Sequence, residues 1–123
     1  MISGIGIDII YVPRILKLLH KYNKKFLNRV YTEREIEISR KYNNQEIRAK
    51  YFAKRFAAKE AFVKALGSGF SLNLKMKDIE IYSDTKGKPH LAINKNSIFK
   101  NHTIHLSLSD DGDYAIAFVV ICN

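Results

Sequence analysis

The sequence has little of what secreted and membrane proteins contain. Its one cysteine, Cys122, lies near the C-terminus, so no disulfide can form within the chain. No apolar run approaches the ~18 residues of a membrane-spanning helix, and the first residues lack the basic segment and apolar stretch of a secretory signal peptide. We therefore expect an intracellular protein of the cytoplasm, where thiols stay reduced.

The sequence has fewer acidic than basic residues. The 123 residues include 21 Lys and Arg against 12 Asp and Glu, which gives a net charge of +9. This balance favours an acidic partner or a phosphate-rich ligand without distinguishing between them. Apolar residues make up 46% and charged residues 27%, as in folded rather than disordered proteins. The sequence has no internal repeat, low-complexity tract or linker, so residues 1–123 are predicted to form a single domain.

The first half of the chain predicts one strand followed by helices. Isoleucine alternates with glycine or aspartate in Met1–Ile9, a pattern typical of a strand. Pro13 suits the first turn of a helix, and Thr32–Glu35 has the capping-box pattern that begins a second one. Asn43-Asn44 can cap a long central helix, which Gly67 can end.

Beyond that helix the apolar period changes to two. Residues 79–82 and 104–109 alternate apolar with polar side chains, and turns are predicted at 84–87 and 110–112. We therefore predict an α+β fold in which an antiparallel sheet packs on the long central helix. The last strand, Tyr114–Ile121, is apolar on both faces and needs cover from the helix or from another subunit.

The central helix is the first place to seek function. Within Tyr51–Leu66, large apolar residues share one arc, and an alanine recurs every fourth residue on another, which predicts a largely buried helix. The helix also carries Arg55, Lys59, Glu60 and Lys64. Buried charges are normally paired, or they bind a ligand or a metal.

Two carboxylates on sparsely filled faces suggest a cation site. Asp8 shares its strand face with two glycines, and Glu60 lies on the alanine side of the central helix. Carboxylate oxygens suit a hard cation such as Mg²⁺, which keeps several waters and binds substrate phosphates. The alternative is structural: Asp8 ends its strand in a turn, and Glu60 pairs with Lys64 one turn later.

Two further patterns also have two interpretations. Gly67-Ser68-Gly69 follows Lys64 directly, and it is either part of a phosphate site or a plain helix C-cap with a loop. Arg14, Lys17 and Lys21 share one face of the first predicted helix. That face is either simply solvated or docks an acidic macromolecule.

Taken together, the motifs resemble the small bacterial phosphopantetheinyl transferases. The motifs that carry this resemblance are Gly4-Ile-Gly-Ile-Asp8, Arg55-Phe-Ala-Ala-Lys-Glu-Ala61, Gly87-Lys-Pro89 and His105-Leu-Ser107, in this order. The resemblance covers nearly the whole chain and implies that family's fold. One departure is Asp110, which stands where some relatives have a histidine, so no histidine base is assigned there.

The resemblance implies an activity and a set of catalytic residues. Members of the family transfer 4'-phosphopantetheine from coenzyme A to a serine of an apo acyl carrier protein, which is acidic. By resemblance, Asp8 and Glu60 would bind Mg²⁺, and Lys64 would lie near the phosphates as a third catalytic residue. The family also forms homotrimers with the active site between subunits, and a neighbouring copy would then cover the last strand.

The resemblance also implies which residues contact the two substrates. The coenzyme A contacts would be Arg55, Lys64, Gly67, Ser68, Gly69, Lys88, Pro89 and His105. The acyl carrier protein would dock on Arg14, Lys17 and Lys21.

Two other functions compete with this interpretation. The positive charge, with seven tyrosines and seven phenylalanines, would permit a small basic RNA-binding module. That function gives Asp8 and Glu60 no role, because carboxylates without a cation repel phosphate. A structural trimer without catalysis would leave the charges of the central helix unexplained.

Overall fold

A computed structural model describes residues 1–67, 73–94 and 99–123. It confirms the α+β fold, with a long helix against antiparallel strands. In chain order the elements are β1 (Ile2–Tyr11), α1 (Val12–Tyr22), α2 (Lys24–Val30), α3 (Glu33–Ser39), α4 (Gln45–Leu66), β2 (Ile79–Ser83), β3 (Pro89–Ile93), β4 (Thr103–Asp111) and β5 (Tyr114–Cys122). Within the described ranges, no helix is long and apolar enough to cross a membrane.

The predicted helix boundaries are largely confirmed. Thr32 and Glu35 form the reciprocal capping box of α3, and the Asn44 side chain accepts hydrogen bonds from two backbone N–H groups at the start of α4. Gly67 ends α4 in the left-handed conformation, with φ of 76°. The sequence did not predict α2, because its seven residues bury only Leu27 and Val30, too few for a helical period.

The strands form two sheets rather than one. β1, β5 and β4 are antiparallel neighbours in that order, whereas among the described residues β2 and β3 pair only with each other, as a hairpin. Alternation along a strand predicts a strand but not its partner, so the division was not visible in the sequence. The three-stranded sheet carries Asp8 and contacts α4 through β1 and β5.

Glycines bring β1 and α4 into backbone contact. A Cβ atom at Gly4 would collide with the carbonyl oxygen of Ala65, and one at Gly6 with the carbonyl oxygen of Ala61. No other residue type fits this spacing without moving the helix or the strand. The glycine face beside Asp8 is therefore occupied by the backbone of α4.

The opposite face of the three-stranded sheet is apolar and open. Ile5, Ile7 and Ile9 are 61%, 61% and 58% exposed, and Phe118 of β5 is 43% exposed. The alternate residues of β5, by contrast, are buried towards α4. The doubly apolar last strand is thus covered on one face only within a single chain.

Candidate active site

Asp8 lies beneath the last turns of α4. It follows Gly6 by two residues, so strand alternation turns it to the same face, towards the helix. The Lys64 ammonium donates to Asp8 Oδ1 at 2.9 Å and to the Ile7 carbonyl at 3.1 Å. Asp8 lies inside β1 and not at a turn, and Lys64 pairs with it across the two elements. These contacts argue against the structural alternative for both carboxylates.

One oxygen of Asp8 is left without a partner. Oδ2 is buried and makes no hydrogen bond, while Oδ1 carries the bond from Lys64. Burying an unsatisfied carboxylate oxygen costs free energy, so such atoms are rare outside functional sites. The orphaned oxygen marks this point of the β1–α4 contact as a place for a positively charged ligand.

Glu60 supplies a second carboxylate at the same place. Its side chain is half-buried one turn before Lys64. Burial raises the pKa of Glu60 and the negative charge of Asp8 raises it further, while Lys64 opposes both. Two mutually repelling carboxylates beside one unsatisfied oxygen form a site that a divalent cation would relieve.

The donor set fits Mg²⁺ by its chemistry. Asp8 and Glu60 offer oxygen ligands only, which hard cations prefer. Over residues 1–67, 73–94 and 99–123, no group of three or more His, Cys, Asp and Glu side chains comes together. Mg²⁺ commonly uses one or two carboxylates and completes its shell with waters and substrate phosphates, so two protein ligands suffice.

The other flank of α4 carries a closed ion pair. The Lys59 ammonium donates to Glu35 Oε1 at 2.7 Å and to the Val30 carbonyl at 2.7 Å. The two side chains are 0% and 1% exposed. Burial lowers the pKa of Lys59, and Glu35 opposes that shift. Lys59 is thus a structural charge, although the sequence grouped it with the candidates for function.

Glu35 is the residue that the sequence interpretation missed. The capping box identified it only as a helix-start residue, and it also accepts from the backbone N–H of Ile81 at 2.7 Å. A signal was present, since a lysine in a helix predicted to be buried requires a carboxylate partner. Which of the chain's acidic residues would supply it depends on tertiary packing.

Arg55 lies one turn before Lys59 on this same flank. Its guanidinium stacks on the ring of Tyr51 at 3.9 Å, and its Nε is buried without a hydrogen-bond partner. The structure therefore groups Arg55 with Lys59, whose pKa its charge helps to lower. Its predicted contact with coenzyme A stays a prediction.

The remaining predicted coenzyme A residues are dispersed. Gly67 is exposed at the C-terminal end of α4, and Ser68 and Gly69 lie outside the described residues. Lys88 and Pro89 follow a turn that Asp84 Oδ1 organises by accepting from the N–H groups of Lys86 and Lys88.

His105 lies on the open face of the three-stranded sheet. It is exposed on β4 opposite Val120, which is itself opposite Ile5. Asp8 faces the other way, towards α4. The two residues therefore cannot meet at one site within a single subunit.

The predicted docking residues form an exposed face. Arg14, Lys17 and Lys21 are all exposed on α1, while Ile15 and Leu19 are buried beneath it. Tyr22, the last residue of α1, is 47% exposed, and the Lys21 ammonium lies 5.3 Å from the centre of its ring.

A known family matches nearly the whole chain. The 4'-phosphopantetheinyl transferase superfamily matches residues 4–119. The chain belongs to this superfamily. Among its relatives, a holo-[acyl-carrier-protein] synthase from Wolbachia sp. subsp. Brugia malayi (strain TRS) is 73% identical over 123 residues, covering 100% of this chain and 98% of the relative.

Solved phosphopantetheinyl transferases share the fold. A holo-(acyl-carrier-protein) synthase from Bacillus anthracis str. Ames, in complex with CoA (3',5'-ADP), has a TM-score of 0.85 and 40% identity, covering 98% of this chain and 96% of that one. The holo-[acyl-carrier-protein] synthase of Neisseria meningitidis has a TM-score of 0.87 and 36% identity, covering 100% of both chains.

Proposed function

We propose that this phosphopantetheinyl transferase moves the 4'-phosphopantetheine group of coenzyme A to a serine of an apo acyl carrier protein. In the reaction the serine oxygen bonds to the β-phosphorus of coenzyme A, and the bond from that phosphorus to the bridging oxygen breaks. The electron pair leaves with adenosine 3',5'-bisphosphate, and the proton of the serine hydroxyl passes to water. The product is the holo carrier protein.

The observation that carries the proposal is the unsatisfied Asp8 Oδ2 beside Glu60. Together these residues would hold Mg²⁺, which neutralises charge on the pyrophosphate when bound. Lys64 is placed to assist, because its ammonium lies beside Asp8 while its side chain is 56% exposed. An ammonium that reaches both the carboxylate and solvent can bind a phosphate oxygen and stabilise the leaving group.

The open face of the three-stranded sheet supports a homotrimer. A contiguous apolar patch of this kind, with Ile5, Ile7, Ile9 and Phe118 at its centre, is typical of an interface between proteins. His105 lies on this same face, away from Asp8 of its own chain. The predicted coenzyme A contact of His105 would then be made across subunits. The mass in solution by light scattering tests this, with Ile7→Lys expected to give a monomer.

The basic face of α1 supports docking of the carrier protein. Arg14, Lys17 and Lys21 are exposed together on a chain of net charge +9, and an acidic protein would associate faster at low salt. The coenzyme A contacts of Arg55, the Gly67-Ser68-Gly69 loop and Lys88-Pro89 remain part of the proposal, as does a cytoplasmic location.

The test is the intact mass of an apo acyl carrier protein after incubation with this protein, coenzyme A and Mg²⁺. We expect a phosphopantetheine increment that is lost on chelation with EDTA and largely lost with Glu60→Ala. Glu37→Ala is the matched control, since Glu37 is an exposed carboxylate paired only with Arg40 in the next turn. An increment that survives Glu60→Ala would remove Glu60 from the site, and no increment at all would contradict the reaction.

A further inference from the structure

Lys59 and Glu60 are consecutive residues of α4 with different surroundings. Glu60 faces the Asp8 side, whereas Lys59 is enclosed on the flank that faces α3. From this arrangement we infer that the Lys59–Glu35 ion pair is a positioning device that sets the rotation of α4, and thereby holds Glu60 at its distance from Asp8. The inference rests on the cation site proposed above.

The ion pair joins four segments of the chain at one point. Lys59 of α4 is bonded to Val30, at the end of α2, and to Glu35 of α3. Glu35 also accepts from the backbone N–H of Thr32 at 2.9 Å and from that of Ile81, in β2, at 2.7 Å. Both carboxylate oxygens and the ammonium therefore have protein partners with short distances.

The closed environment excludes a direct role in substrate binding. Lys59 and Glu35 are almost completely inaccessible, so neither can touch coenzyme A or a carrier protein without unfolding of the region. A buried ion pair is also weak evidence for stability, because removing two charges from water cancels much of their attraction. Its best-attested use in proteins is to specify one arrangement of the packed elements.

The Lys59–Glu35 pair acts together with a second contact, on the flank of α4 that faces β1. There the carbonyl oxygens of Ala61 and Ala65 lie against Gly6 and Gly4, which fixes how closely α4 approaches β1. A close approach alone lets the helix roll on the smooth glycine surface, because glycine has no side chain to interlock. The Lys59 anchor prevents that rolling at the residue next to Glu60.

Two further bonds between this flank and α4 lie earlier in the helix. The Tyr51 hydroxyl donates to the Glu35 carbonyl at 2.9 Å, and the Tyr31 hydroxyl donates to the Phe52 carbonyl at 2.8 Å. Both attach α4 about two turns before Glu60. We expect them to keep the fold together when Lys59 is replaced, while the turn that carries Glu60 loses its charged anchor to α3.

The experiment measures binding of Mn²⁺, an oxygen-preferring divalent cation, to the metal-free protein by electron paramagnetic resonance. Lys59→Met should weaken binding about tenfold, the lower range for losing a residue that orients a metal ligand. The sign is decisive, because deleting a nearby positive charge would by itself tighten cation binding. A result of equal or tighter binding would overturn the inference.

Tyr31→Phe is the matched control. It removes one buried hydrogen bond between the same segments, keeps the ring under Lys59 and leaves the charges unchanged. We expect it to lower the urea midpoint without changing Mn²⁺ affinity. If it weakens Mn²⁺ binding as much as Lys59→Met does, the effect is general loosening, and the inference fails.

Two further variants keep the outcomes separate. If Lys59→Met does not fold, the double variant Glu35→Gln with Lys59→Met leaves the net charge unchanged and carries the same expectation of about tenfold weaker binding. Glu60→Ala should abolish Mn²⁺ binding. If Mn²⁺ still binds this variant, the cation site itself is wrong. If Glu60→Ala abolishes binding but Lys59→Met leaves the Mn²⁺ affinity unchanged, only the positioning role is contradicted.

Discussion

The two flanks of α4 treat charge in opposite ways. On the flank facing α3, Lys59 and Glu35 are fully enclosed, and their charged atoms are satisfied by protein partners. On the flank facing β1, Asp8 keeps a buried oxygen without a partner, and the ammonium of its partner Lys64 extends into solvent. Both flanks carry a lysine–carboxylate pair at less than 3 Å.

Both flanks carry a lysine and a carboxylate, and they differ in whether every charged atom of the pair has a protein partner. A satisfied network gains nothing from a ligand and holds the fold in one arrangement. An incomplete network is stabilised by a cation or a phosphate, because the missing partner then comes from the ligand. An unsatisfied oxygen within the lysine–carboxylate pair therefore distinguishes the binding flank from the structural one, since the buried Nε of Arg55 lies outside the Lys59–Glu35 pair.

The largest expected effect comes from adding a side chain where the backbones of α4 and β1 are in contact. Gly6→Ala would place a methyl group against the Ala61 carbonyl oxygen, and neither backbone can yield cheaply. We expect the free energy of unfolding to fall by about 3 kcal/mol, the upper range for overpacking. Urea denaturation followed by circular dichroism measures it.

Gly87→Ala is the control that separates the stability cost of a steric collision from the cost of a positive φ angle. Gly87 has φ of 83° but nothing near its missing Cβ, so alanine there should cost only about 1 kcal/mol. Equal losses at Gly6 and Gly87 would mean that the β1–α4 contact relaxes easily. The position of Asp8 relative to Glu60 would then need another explanation.

The sequence predicted this contact better than it predicted the sheets. The period of two placed Gly4, Gly6 and Asp8 on one side of β1. The alanines at every fourth residue predicted which side of α4 could contact that side of the strand. The division into two sheets was not predictable, since strand partners depend on long-range packing. For the same reason Glu35 was found as a cap but not as the partner of Lys59.

The second expected effect is a contrast between the two lysines. Lys64→Met removes a cation 2.9 Å from Asp8 Oδ1, so Mn²⁺ should bind the protein more tightly in the absence of coenzyme A. Because Lys64 is more than half exposed, the gain should be only about fivefold, equivalent to about 1 kcal/mol. Lys59→Met should weaken the same binding.

Lys64→Arg is the control, since it keeps the charge at this position and should leave Mn²⁺ affinity near that of the wild type. Opposite shifts for the two methionine variants would establish that one lysine competes with the cation while the other positions its ligand. Tighter binding by both variants would mean that both lysines act only through their charge, and weaker binding by both would mean that Lys64 does not compete with the cation. The contrast between the flanks would then be lost.

The smallest effect concerns a cluster of three charged residues at the rim of α4. Lys54 and Lys50 approach Asp110 at 3.1 Å and 3.7 Å, with all three side chains partly exposed. The hydrogen bond from Lys54 is the main cause of a lowered pKa of Asp110. A carboxyl group whose pKa is lower in the folded state stabilises the fold above its unfolded pKa, and that stability is lost as pH falls.

Asp110→Asn should therefore lower the free energy of unfolding by about 0.5 kcal/mol at pH 7, as is typical of a partly exposed ion pair. The difference from the wild type should shrink as the pH falls below the ordinary Asp value of 3.8, because the wild-type carboxyl is then protonated as well. Urea midpoints across that range measure it, with Glu37→Gln as a more exposed control that should show no such change. A loss at pH 7 as large as that from breaking the Lys59–Glu35 pair would contradict the ranking of the charges by their burial.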